Sequence, residues 1–188
     1  MSDRFCTPER GVSVYSHGRS RKMGNVPKLS AGLLLYRVRD GDVEVLIGHP
    51  GGPFWARKDE GAWSIPKGEY GEGEDPWTVA RREFEEELGK RPPQGPRIAL
   101  GPVKQPGGKI VTAFAVQGDL DLEGTFSNTF TMEWPKGSGA IREFPEIDRA
   151  AWFPVAQARS KLLKGQRVLL DRLMAAIADD APAESRSH

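Results

Sequence analysis

The chain has little cysteine, little net charge and no long apolar run, and each scarcity excludes a class of protein. Its 188 residues include one cysteine, Cys6. One thiol cannot close an internal disulfide, so a disulfide scaffold is excluded and a reducing compartment fits. Lysine and arginine number 27 against 26 aspartates and glutamates, so no global field draws the chain to nucleic acid or a charged membrane. No segment approaches the roughly 20 apolar residues of a membrane span. The opening MSDRFCTPER lacks the apolar run of a secretory signal. A cytoplasmic protein without a membrane partner is therefore expected. His17 and His49 stand alone in the sequence, as exposed or structural residues. No Ser/His/Asp or Cys/His arrangement is supported.

What the chain does have is the content of one folded domain with tails. Residues 1–27 read as a polar tail carrying the basic run HGRSRK, and residues 179–188 as a second tail. Between them, residues 28–178 alternate between strand and helix patterns. Strands are expected at 28–38 and 42–50, joined at Asp40-Gly41, and a short one at 63–65. Further strands are expected at 97–105, 109–118, 128–134 and 150–155, and helices at 76–88, 155–163 and 166–178. That order predicts an α/β fold, with a mixed sheet packed between helices.

The segment GEYGEGEDPWTVARREFEEELGK, from Gly68 to Lys90, concentrates acid. Asp75 can cap a helix with Pro76 in its first turn, and Gly89 can stop it. Trp77, Ala80, Phe84 and Leu88 form one apolar stripe, while Glu83, Glu86 and Glu87 share a neighbouring face and Glu85 points elsewhere. Like charges on one face raise one another's pKa. Solvent screening relieves that repulsion, and so does a hard divalent cation that takes oxygen ligands. Spacing within the helix leaves both readings open.

The wider spacing is more specific. Gly68, Glu74 and the run Arg82-Glu83-Phe84-Glu85-Glu86-Glu87-Leu88-Gly89 fit G-x5-E-x7-R-E-U-x-E-E-x-G-U, where U is apolar. This closely resembles the box of the Nudix hydrolases, and Lys90 in the last apolar slot is the one departure. The resemblance covers roughly residues 28–178 and implies the Nudix fold. It also implies hydrolysis of a phosphoanhydride in a nucleoside diphosphate linked to another group. By motif position it implies that Glu83, Glu86, Glu87 and the Gly68 carbonyl hold Mg²⁺ or Mn²⁺. Arg82 would orient the glutamates and Glu74 would support the loop. Phosphate oxygens gather negative charge during in-line displacement, so the chemistry calls for metal. In many members the general base lies on a loop before a late strand. Glu146 is the first candidate here, then Glu143, then Glu133.

Substrate contacts fall in the loops. The Pro66-Lys67-Gly68 step resembles Nudix branches acting on dinucleoside polyphosphates, diphosphoinositol polyphosphates and capped RNA, and it puts Lys67 beside the metal site as a phosphate contact. In HPGGPFWARKDEG, Phe54 and Trp55 beside Arg57 and Lys58 suit base stacking and phosphate binding, or else the aromatics plug the core. Lys104 and Lys109 flank a hairpin and are expected in solvent, and Trp134 is expected in the core. The expected substrate is a dinucleoside polyphosphate such as diadenosine tetraphosphate. A housecleaning nucleoside triphosphate pyrophosphohydrolase and a non-catalytic nucleotide sensor are the alternatives. The family also makes a homodimer an expectation.

Overall fold

The computed structural model describes residues 27–106 and 108–180. The basic run at 17–22 and nearly all of both expected tails lie outside the described residues. In chain order the elements are β1 (Leu29–Arg39), β2 (Asp42–Pro50), β3 (Lys67–Glu69), α1 (Pro76–Leu88), β4 (Arg97–Lys104) and β5 (Ile110–Gln117). Then come β6 (Thr129–Glu133), β7 (Ile141–Pro145), β8 (Ile147–Pro154), α2 (Val155–Lys161), a 3-10 turn (Lys164–Gln166) and α3 (Val168–Asp180).

β1 is buried along most of its length and organises the sheet. The sheet runs β4-β5-β1-β2-β8, with β3 also paired to β1, and β6 and β7 form a separate two-stranded sheet. β1 is parallel to β5 and antiparallel to β2 and β3, so the sheet is mixed. Asp40 at φ 53° and Gly41 at φ 88° make the two-residue turn into β2, where glycine tolerates the left-handed conformation.

Period-two alternation sends the two faces of β1 into different layers. Leu33 and Leu35 pack with Val79, Ala80, Phe84 and Leu88 of α1. Leu34 and Tyr36 pack on the other side with Ala158, Leu169, Leu170 and Leu173 of α2 and α3. The sheet thus lies between helices, the α/β architecture predicted from the element order.

Several elements differ from expectation. Residues 63–65 make only isolated bridges, Trp63 to Leu162 and Ser64 to Gly48, and the strand starts two residues later at Lys67. β7 was not expected, because its Ile141, Arg142 and Glu143 are all exposed and show no apolar alternation. Trp134 is not in the core. It is partly buried and belongs to neither apolar cluster.

Candidate active site

The site is built where β3 meets α1. Asp75 takes the Thr78 amide at 3.0 Å and starts the helix, and Gly89, at φ 66°, ends it by donating to the Glu85 carbonyl at 2.8 Å. With those ends set, Phe84 and Leu88 face the sheet and Glu83 and Glu87 face β3. The contact at Gly68 is the tightest in the site. A Cβ there would lie 1.8 Å from Glu83 Oε2 and 1.9 Å from its Cδ, so only glycine lets the Glu83 carboxylate rest on this backbone. One residue earlier, the Lys67 amide donates to Glu87 Oε2 at 3.2 Å.

Arg82 ties the box together. It meets Glu74 Oε1 and Glu83 Oε1 at 3.1 Å each, and Glu86 Oε1 at 3.9 Å. Glu74 in turn accepts the Gly71 amide at 2.8 Å, which closes the loop before the helix. That amide, and then the Arg82 guanidinium, hold the Glu74 carboxyl below its usual range. The inner glutamates move the other way. Burial raises Glu83 against the pull of Arg82, and Glu86 and Glu146 add to the rise. Burial pushes Glu87 up to about 7, with Lys67 opposing and Glu146 and Glu83 contributing. Buried carboxyls pushed toward neutrality are costly to ionise until a positive charge reaches them.

Glu146 is held opposite this face by backbone bonds. Its amide donates to the Asn128 carbonyl at 2.8 Å and its carbonyl accepts from Gly51 at 3.0 Å. The Asn128 amide donates to the Glu86 carbonyl at 3.1 Å, so one residue joins the acidic helix to the Glu146 loop. The other two base candidates are engaged elsewhere. Glu143 accepts from the Thr129 hydroxyl, and Glu133 accepts the Gly139 amide at 2.6 Å.

Among the described residues, no three His, Cys, Asp or Glu side chains converge closely enough to hold a metal ion. Arg82 and the Lys67 amide hold Glu83 and Glu87 in place, while Glu86 is exposed. The chemistry of Glu83, Glu86 and Glu87 still fits a hard cation, since all three offer carboxylate oxygens and Glu83 rests on the Gly68 backbone. Glu85, which sequence spacing set apart, is exposed and pairs with Arg91 at 3.1 Å. Lys90, the departure from the box, donates to the carbonyls of Asp121 and Glu123 at 2.6 Å each and pins the loop beyond the helix.

The loop candidates divide. Trp55 packs against the core with Lys58 Nζ 4.7 Å above its ring, so for Trp55 the core reading is the better one. Phe54 is 59% exposed, and Arg57 is exposed nearby. Lys67 Nζ sits 3.4 Å from the Ser64 hydroxyl. Lys104 is exposed, while Lys109 pairs with Glu69 at 2.8 Å. His49 is buried between Asp148 and the Lys58 carbonyl.

Sequence reasoning missed three residues near the site. Asn128 acts through its backbone and leaves no side-chain signature. Phe126 is 69% exposed and sits over Gly89, lining a cleft of about 390 Å³ with Arg82, Glu86 and Asn128. Gln166, fully buried, accepts the Ile65 amide at 2.9 Å and so supports the segment that leads into Lys67. A hollow of about 480 Å³ at the other end of β1, lined by Arg37, Arg39 and Asp119, carries none of the box residues.

Residues 27–173 match the NUDIX domain, and the chain belongs to the NUDIX family. It is similar to an RNA pyrophosphohydrolase from Rhodospirillum rubrum, 46% identical over 67 residues, a stretch covering 35% of this chain and 39% of that protein. The chain thus matches well under half the length of that curated relative. Among solved structures it is similar to a C. elegans Ap4A hydrolase in a binary complex, at TM-score 0.52 and 23% identity, over 81% of this chain and 98% of that one. It is also similar to the NUDIX domain of Shewanella oneidensis NrtR complexed with ADP ribose, at TM-score 0.55 and 15% identity, over 81% and 90% of the two chains. At these identities the solved structures establish the shared fold.

Proposed function

We propose that this protein is a metal-dependent hydrolase of a phosphoanhydride bond in a nucleoside diphosphate linked to another group, with a dinucleoside polyphosphate such as diadenosine tetraphosphate as its first substrate. The observation that carries the reading is the bridge at Asn128, which sets the Glu146 loop against the helix turn of Glu86. A base held across from a carboxylate cluster is the arrangement in-line attack by water requires.

Glu83, Glu86, Glu87 and the Gly68 carbonyl would hold Mg²⁺ or Mn²⁺. When bound, the ion neutralises phosphate oxygens and acidifies the attacking water. Arg82 positions Glu83 through its bond at 3.1 Å, and Glu74 anchors Arg82. Glu146 accepts the proton of the attacking water at its carboxylate. Lys67, whose amide holds Glu87, offers its ammonium to a phosphate oxygen.

Hydrolysis of RNA 5′ ends is the second reading, favoured by the similarity to the R. rubrum RNA pyrophosphohydrolase. A product screen with Mg²⁺ and Mn²⁺, reading nucleotides and pyrophosphate as well as phosphate, separates the two. It should cover dinucleoside polyphosphates, nucleoside triphosphates and 5′-triphosphorylated RNA, with products identified by ion exchange. Two nucleotides from diadenosine tetraphosphate support the first reading. Preferential release from RNA ends supports the second, and no turnover with any substrate contradicts both.

A further inference from the structure

We propose that Trp134 and Phe54 form a stacking jaw for a nucleobase of the substrate; this rests on the nucleotide chemistry proposed above. The hairpin of β6 and β7 pairs only with itself and stands outside the six-stranded sheet. Its aromatics Phe130, Trp134 and Phe144 belong to neither core cluster, and neither does Phe54 on the facing loop. The rings of Phe54 and Trp134 meet edge-on, with centroids 5.3 Å apart and planes at 78°. Phe54 is 59% exposed and Phe130, Trp134 and Phe144 are half-buried outside the core, and large aromatics that no core covers mark a binding surface.

The jaw is continuous with the proposed hydrolytic groove. The loop runs along the hairpin from Gly51, bonded to the Glu146 carbonyl, through Gly52, where a Cβ would lie 3.0 Å from the Phe130 ring, to Phe54 on Trp134. Three residues span at most about 10 Å even when extended, and here the chain turns, so Gly51 and Phe54 lie within that distance. That is the order of the reach from a diphosphate to its base. Arg142 of β7 and Lys136 of its turn make no ion pair among the described residues, leaving cations beside the jaw for phosphate oxygens. An aromatic face flanked by cations suits a base with a phosphate tail better than an aliphatic ligand.

Calorimetric titration with ADP and with inorganic pyrophosphate, in Mg²⁺, tests the jaw without requiring turnover. Trp134→Ala and Phe54→Ala are each expected to weaken ADP binding about tenfold. Trp134→Phe should stay within about threefold of wild type, and pyrophosphate affinity should not change in any variant. Phe54 is exposed, so its removal tests the jaw even if Trp134→Ala disturbs the hairpin. Alanine variants that bind ADP like the wild type overturn the proposal. So do variants that lose ADP and pyrophosphate equally, a wild type that binds ADP no tighter than pyrophosphate, or a patch that instead dimerises the chain and loses only that in Trp134→Ala. If the hydrolase reading fails while the ADP discrimination holds, the jaw stands alone. If turnover is found with no ADP effect, only the jaw fails.

Discussion

Replacing Gly68 with alanine should separate folding from metal binding. Gly68 is not among the residues with positive φ, so alanine meets no backbone strain there. The conflict is steric and local, because the new Cβ would sit 1.8 Å from Glu83 Oε2 where ordinary contact begins at 3.4 Å. The Glu83 carboxylate must therefore retreat by about 1.6 Å. It is the end of a flexible side chain, so the fold can absorb the move, but the Arg82 bond at 3.1 Å goes with it. A misplacement near 1 Å can cost about hundredfold in rate. The expectation is a Gly68→Ala protein with near-native melting, weakened Mn²⁺ binding by electron paramagnetic resonance, and hydrolysis reduced about hundredfold. Native melting together with native Mn²⁺ affinity and turnover would refute the reasoning.

Three further outcomes are expected. In EDTA, stability should fall as pH rises from about 4.5 to about 7, because folded Glu87, raised to about 7, keeps a proton that the unfolded chain has released; thermal melts across pH should show this slope in the wild type and a shallower one in Glu87→Gln. Arg82→Ala frees Glu83 and Glu74 from their shared partner and should raise the Mn²⁺ concentration for half-saturation about tenfold or more, with melting little changed. Phe84→Ala removes a fully buried ring from the α1 side of the sheet and should cost about 3–5 kcal/mol in urea unfolding.

The acidic helix was legible because every local signal agreed. Asp75, Pro76, the apolar stripe and Gly89 bound it at 76 and 88, where the structure bounds it too. β1 and β2 were legible for the same reason, since Asp40-Gly41 supplies the turn their pairing needs. β3 was misplaced because three residues carry no period, and its strand character comes only from the N-terminal half of β1. β7 was missed because it is exposed and pairs only with β6. Trp134 was assigned to the core because an isolated aromatic is usually buried, and nothing in the sequence says that its hairpin leaves the main sheet. At the site, box spacing brought forward the residues that meet at Gly68. The tie through Asn128 is made by backbone atoms, which any residue type provides, so no sequence pattern announces it.

The central claim is that the carboxylates of one helix face hold the metal that opens a phosphoanhydride. It is tested most directly by the initial rate of diadenosine tetraphosphate hydrolysis in Mg²⁺, measured side by side for the wild type and Glu86→Gln. The account predicts that the wild type yields two nucleotides and that Glu86→Gln, which keeps shape but loses the charge, is slower by about hundredfold or more. A Glu86→Gln protein that turns over at the wild-type rate would contradict it.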